Sequence, residues 1–335
     1  MYGNITDETR RLVEQANKIH LANFSKKVWF GRCIFLSWYC DVGDCKFCYR
    51  STQKSRIGQA DRARRGVASI LVEAILAKNL GWRIEFLTGG YRIFPFEELV
   101  DIAKKVSQIY GEKVWLNLGA LKKEELEAFR PFVKGIVSSI ETVDKELHNH
   151  VCPNKPIKPY EEMFETADGL KKSMTIVIGL GEKREDITKL FDFIQKHKLD
   201  RITFYALRPI EGTPYKKGPS TEDYVWWIAN TRIKFPKLQI IAGTSPARVS
   251  EISLVLQAGA NAITKYPATK LFNSASAKEL EKQVSAAGRE FISTLTELPD
   301  VDWNSEAEQL PFDGELKQKI KITLNQYIKN MQKQK

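Results

Sequence analysis

The chain lacks any apolar run approaching the roughly 20 residues that span a bilayer, so no membrane-crossing helix is expected. Its first residues, Met1-Tyr2-Gly3-Asn4-Ile5-Thr6-Asp7-Glu8, are polar and acidic, unlike a secretory signal. Cysteine is scarce, five in 335 residues, and four of the five are bunched, which excludes a disulfide framework. A reducing, cytoplasmic setting is the expectation. No Pro- or Gly-rich linker and no internal repeat divides the chain. No long basic block or aromatic–basic repeat marks a nucleic-acid groove, although the formal net charge is +11. That charge reads either as a solvated lysine-rich surface or as a match for an anionic substrate or an acidic carrier protein. Hydrophobic residues make up 43% of the chain, enough for a large core.

The bunched cysteines are Cys33, Cys40, Cys45 and Cys48. The last three share one segment, Cys40-Asp41-Val42-Gly43-Asp44-Cys45-Lys46-Phe47-Cys48-Tyr49. Cysteine thiolates select zinc or iron–sulfur clusters. Structural zinc wants four closed ligands, and no histidine lies near this segment. Three thiols on one loop fit a [4Fe-4S] cluster with one iron left open. Zinc and unligated thiols are the other readings. Cys33 lies seven residues earlier in an apolar run and reads as part of a strand.

Short apolar runs alternate with amphipathic stretches along the rest of the chain. Strands are expected at 28–36, 83–87, 114–118, 136–140, 174–178, 201–206, 238–242 and 260–264. Helices are expected at 60–80, 95–110, 122–129, 159–170, 184–196, 222–234, 248–258 and 277–295. Eight βα units imply a parallel sheet, and at this length a closed (β/α)8 barrel. An open doubly wound sheet is the runner-up. Residues 1–26 read as an N-terminal helical cap, 27–299 as the barrel and 300–335 as a C-terminal helical extension. In such a barrel the working face lies at the C-terminal ends of the strands. The cysteine trio, Thr88-Gly89-Gly90, Asn117, Glu141-Thr142 and Gly179-Leu180-Gly181-Glu182 all fall there.

A cysteine trio after the first barrel strand, with Phe47 before its last member, resembles the radical S-adenosylmethionine (SAM) superfamily. The resemblance implies a radical SAM TIM-type barrel whose [4Fe-4S] cluster binds SAM through its open iron. It implies reductive cleavage of SAM to a 5′-deoxyadenosyl radical, which abstracts hydrogen from substrate. The electron then comes from a donor such as ferredoxin or flavodoxin. The spacing here is Cys-x4-Cys-x2-Cys, one residue longer than the usual Cys-x3-Cys-x2-Cys, and points to an atypical branch.

Further segments resemble the biotin synthase-like subgroup across roughly residues 28–270. The resemblance places the cluster on Cys40, Cys45 and Cys48, with the aromatic flanks Phe47 and Tyr49 beside the cofactor. It places Thr88, Gly89 and Gly90 at the SAM amino group, and Ser139 and Glu141 at the ribose. Val177, Ile178 and Gly179 fall beside the adenine. Glu182 belongs either to that adenine loop or to a helix N-terminus stabilised by its dipole. Lys155, Lys158 and Arg208 are the candidate cations for the SAM carboxylate.

Biotin synthase itself also holds a [2Fe-2S] cluster on three barrel cysteines. The matching positions here are near Leu87, Trp115 and Ser173, so biotin synthesis is not expected. Cys33 and Cys152 are either small buried hydrophobes or ligands of an auxiliary iron–sulfur cluster. The resemblance leans to sulfur insertion of the archaeal two-protein lipoyl synthase type, with a paralogous partner subunit and an acidic acyl-carrier protein. The alternative is the radical step in guanylylpyridinol cofactor assembly for [Fe]-hydrogenase. Outside enzymes, the alternatives are an iron–sulfur electron carrier and a zinc-stabilised nucleic-acid module.

Overall fold

The structure is a computed structural model that describes residues 5–89 and 92–333. Eight parallel strands close into a barrel: β1 (Lys27–Phe35), β2 (Arg83–Thr88), β3 (Val114–Asn117), β4 (Val133–Glu141), β5 (Lys171–Ile178), β6 (Arg201–Ala206), β7 (Gln239–Gly243) and β8 (Ala262–Thr264). They pair in sequence order, and β1 closes the ring by pairing with both β2 and β8. Seven consecutive residues of β1, from Val28, are buried or nearly so, as expected when helices cover one face of a sheet and the barrel interior the other. The expected strands are all present.

The helical stretches differ in detail. The expected helix over 60–80 is a short 3-10 turn, Asp61–Ala63, then a break, then the helix Val67–Asn79. The break is held tertiarily. Arg64 bridges Ser37, and Arg65 bonds the Phe35 carbonyl and pairs with the buried Glu73 at 2.6 Å. The expected helix over 277–295 stops at Ala286, and the chain forms a ninth strand, β9 (Glu290–Phe291), beside β1 at Lys27 and Val28. The region of 159–170 carries the helix Lys158–Thr166, and an unexpected helix, Lys145–Val151, precedes it. The stretch 248–258 begins as a 3-10 segment, Pro246–Glu251, before the helix Ile252–Gln257.

Helix Asp7–Asn23 packs on helices Thr221–Lys234 and Ile252–Gln257. Helix Gly314–Gln332 lies against Val67–Asn79 through buried Ile320, Leu324, Ile328 and Met331. No helix among the described residues is long and apolar enough to cross a membrane.

The barrel interior is filled, not hollow. Trp115, Phe86 and Val137 pack with Cys33. The Arg201 guanidinium lies 3.7 Å from the centre of the Trp115 ring and donates to Ser173 Oγ and to the Glu85 carbonyl, both at 3.1 Å. Burial lowers Arg201 to about 10, still charged at neutral pH. The packed interior directs ligand chemistry to the strand ends.

Candidate active site

The cysteine loop begins where β1 ends. Gly43 has φ +53, and a Cβ there would lie 2.7 Å from the Cys40 carbonyl oxygen and against Lys54. The turn back onto Cys40 therefore needs glycine, and it is where the longer first gap is taken up. Lys54 Nζ donates to the Asp41 and Val42 carbonyls and fixes the far side of that turn. Cys48 N–H donates to the Cys45 carbonyl at 3.0 Å, and Cys48 begins helix Tyr49–Gln53.

The loop docks on the end of helix Lys145–Val151. Lys46 N–H donates to the Val151 carbonyl at 2.9 Å, and Asn154 Nδ2 donates to Asp44. This docking brings Cys152, the residue after that helix, into the same small apolar cluster as Cys45. The neighbouring Cys152 thiol lowers the Cys45 thiol, burial opposes it, and Lys155 lowers it further. Cys152 is pushed up by Cys45 and by burial. Cys45 is thus the member of the pair that ionises first. Burial raises the Cys48 thiol.

Among the described residues no three Cys, His, Asp or Glu side chains gather as a single-ion site. A four-iron cluster has a different requirement, because each thiolate binds its own iron, so the sulfurs need not meet at one point. Three thiols on one short loop, one of them biased toward thiolate, fit that donor set.

The rim of β2, β3 and β4 is tied by short polar links. Thr88 Oγ1 donates to the Asn117 carbonyl at 3.0 Å, and Ser139 Oγ to Asn117 Oδ1 at 2.9 Å. Gly89 has φ +130, and a Cβ there would sit 2.8 Å from the Ser37 carbonyl oxygen. That close packing against the residues after β1 requires glycine. Gly90 lies outside the described residues.

Glu141 ends β4 after a register shift, with φ +66. Strained, non-glycine backbone of this kind gathers at functional sites. Its carboxylate accepts from Lys155 Nζ at 2.6 Å. Burial works to lower Lys155, but Glu141, together with Tyr160, Cys45 and Cys152, outweighs it and holds the ammonium charged. His148 pins this loop, with its two ring nitrogens 2.9 Å from the Ile140 carbonyl and 2.6 Å from the Lys155 carbonyl. The expected ribose carboxylate and carboxylate-binding cation are thus each other's partner. Lys158, by contrast, is exposed and sits 3.7 Å from Glu162.

Beyond the loop opens a cavity of about 460 Å³ at the ends of β5 to β8. Phe47 and Val177 line it; Ile178, on the other strand face, is buried in the main core and does not. Tyr49 is half exposed, at 51%, and does not line it either. Glu182 takes the backbone N–H groups of Gly179 (2.6 Å), Leu180 (2.9 Å) and Gly181 (3.1 Å) on its own carboxylate. It closes its own loop and is not aimed at a ligand. Arg208 is exposed on the cavity rim.

Sequence reasoning missed the buried polar network beneath Tyr205, one of the residues lining this cavity. Glu85 of β2 is fully buried. It accepts from Cys33 Sγ (3.0 Å), Thr203 Oγ1 (3.0 Å), Tyr205 OH (3.2 Å) and Thr264 Oγ1. Burial and then the Glu85 charge push both Cys33 and Tyr205 up, so each stays a protonated donor. Cys33 therefore serves this network, apart from Cys152, which serves the cluster loop; the two do not share a site. The available signal was a lone charge in the apolar run Ile84-Glu85-Phe86-Leu87.

The closed parallel barrel, with three thiols on the loop after its first strand, defines the class: a (β/α)8 enzyme built around a loop-borne iron–sulfur cluster. Comparison with known proteins places it within that class. Residues 38–194 match the radical SAM superfamily, and residues 203–292 match the Biotin and Thiamin Synthesis associated domain. An uncharacterized protein of Methanocaldococcus jannaschii is 38% identical over 311 residues, 91% of this chain and 86% of that one. Biotin synthase of Buchnera aphidicola is 24% identical over 268 residues, 75% of this chain and 76% of that one. In structure, methylornithine synthase superposes with a TM-score of 0.72 at 22% identity, over 85% of this chain and 90% of that one, a likeness of fold. The chain belongs to the radical SAM superfamily, in its biotin synthase-like subgroup. The family implies a [4Fe-4S] cluster and SAM.

Proposed function

We propose that the chain abstracts hydrogen from an unactivated carbon of a small substrate held in the β5–β8 cavity, with one cluster on Cys40, Cys45 and Cys48. The observation that carries this reading is the meeting of the cysteine loop and the cavity at Phe47, which follows Cys45 in the loop and lines the cavity wall. When bound, the cluster and SAM supply the one-electron chemistry that generates the abstracting group, and a ferredoxin or flavodoxin supplies the electron. The chain's own part is positional. Gly43 turns the loop, Val151 and Asn154 dock it, and Glu141 and Lys155 form the polar wall beside Cys45. Val177 and Leu207 give the apolar wall that excludes water from a reactive centre.

For the substrate step, carbon chemistry without sulfur insertion is favoured, as in guanylylpyridinol cofactor assembly. Cys33 donates to Glu85 and Cys152 packs with Cys45, so the two spare thiols serve separate places. Lipoyl-type sulfur insertion is the second reading. The net charge of +11 favours it, because such a surface suits an acidic carrier protein. Anaerobic reconstitution separates the two. About four irons per chain, with 5′-deoxyadenosine formed on reduction, is the expected result; about eight irons would favour sulfur insertion. Protein that held zinc alone, or formed no 5′-deoxyadenosine, would remove both readings.

A further inference from the structure

The cavity walls are basic. Arg208, Arg248 and Lys265 line it beside apolar Phe47, Val177, Leu207 and Ile210, and no Asp or Glu is among the described residues that line it. Arg248 pairs with Glu251 at 2.7 Å and donates from Nη1 to the Pro219 carbonyl at 2.8 Å, while its buried Nη2 meets no acceptor in hydrogen-bond geometry among the described residues. Arg208 is exposed on the rim. Lys265 is exposed as well, but its side chain is held over two rings. Its ammonium lies 4.9 Å from the ring centres of Phe35 and of Tyr205, and its backbone has φ +66. Left-handed backbone is unfavourable for a side chain of this size and persists only where the surroundings dictate it.

The surroundings here are explicit. Thr264, the preceding residue, donates its hydroxyl to the Gly31 carbonyl at 2.9 Å and to the buried Glu85 carboxylate. Tyr205 donates its hydroxyl to the other oxygen of Glu85. One buried carboxylate therefore fixes both the residue before Lys265 and the ring on which its ammonium rests. Ring faces attract a cation but accept no conventional hydrogen bond, so the three N–H donors stay open to solvent or to a ligand in the cavity. An anion that meets such donors gains charge-assisted hydrogen bonds, which are stronger than neutral ones.

We propose that the substrate carries a carboxylate or phosphate on an apolar body, and that Lys265, with Arg208 on the rim, binds that anion. The identity of this ligand as substrate rests on the function proposed above. The test uses the full chain, reconstituted and saturated with SAM. Hexanoate, hexyl phosphate and hexanamide are titrated by calorimetry. We expect one of the two anions to bind about tenfold or more tighter than the neutral amide, and the stronger identifies carboxylate or phosphate. Lys265→Gln should erase that preference and Lys265→Arg should restore most of it; Arg208→Gln should reduce it. If Lys265→Gln fails to fold, Lys265→Arg and Arg208→Gln carry the same comparison.

The proposal is overturned if the three probes bind alike or none binds. It is equally overturned if the preference survives the substitutions, or exists only without SAM, which would assign Lys265 to the SAM carboxylate. Wild-type 5′-deoxyadenosine formation is measured separately. Its absence would remove the proposed function while leaving the anion preference standing.

Discussion

Cys45 and Cys152 are the pair on which the cluster loop turns. A thiol that donates to a thiolate ligand withdraws charge from it, and hydrogen bonds to sulfur are one of the means by which a protein sets a cluster's potential. Cys45→Ala removes a ligand and should abolish iron retention and SAM cleavage, as should Cys40→Ala and Cys48→Ala. Cys152→Ala should instead keep the iron while shifting the cluster's reduction potential, read by redox titration monitored by electron paramagnetic resonance. An unshifted potential would confine Cys152 to packing; lost iron would make it a ligand. The trio was legible in the sequence because its members lie within nine residues. The contact with Cys152 was not, because it depends on how helix Lys145–Val151 ends, and that short helix was not expected. The Glu85 network was still less visible. Its donors come from β1, β6 and β8, and a sequence lists them without saying which way each faces.

At the level of elements, the strands could be read because a parallel barrel strand is covered on both faces and writes itself as an apolar run. Two departures have tertiary causes. Residues 64–66 continue a helical pattern, but Arg64 and Arg65 are drawn off to Ser37, the Phe35 carbonyl and Glu73. β9 is only two residues long and exists because β1 offers it an edge near Lys27. The junction of β1 and β2 is where the cysteine loop departs, and Gly89 is its closest backbone approach. Leu36 N–H donates to the Thr88 carbonyl at 2.6 Å, which leaves no room for a Cβ at the next residue. Gly89→Ala meets both a φ of +130 and backbone atoms at 2.8–2.9 Å. It should destabilise the fold by about 3 kcal/mol, measurable by urea unfolding of the reconstituted protein. A change within about 0.5 kcal/mol would show that the rim relaxes freely and does not fix the loop.

For the whole molecule, the N-terminal helix makes stability depend on pH. His20, near the end of helix Asp7–Asn23, is buried with its Nδ1 3.3 Å from the Gly259 carbonyl. Burial, reinforced by the charges of Arg289 and Arg232, lowers it from 6.5 to about 4. Its folded value therefore lies below its unfolded one. Above about pH 6.5 both states hold it neutral and the contribution is complete. As pH falls from there toward 4, the unfolded chain takes up a proton that the fold refuses, and stability drops. At pH 5 the loss from this one residue is about 2 kcal/mol. His197, also lowered chiefly by burial, adds in the same direction. Urea unfolding of the wild type at pH 7 and pH 5 should show the loss. His20→Gln, which keeps a polar group opposite Gly259 but cannot titrate, should be less stable at pH 7 and lose less between the two. If wild type and His20→Gln fall equally over that interval, the helix is not docked through a neutral histidine.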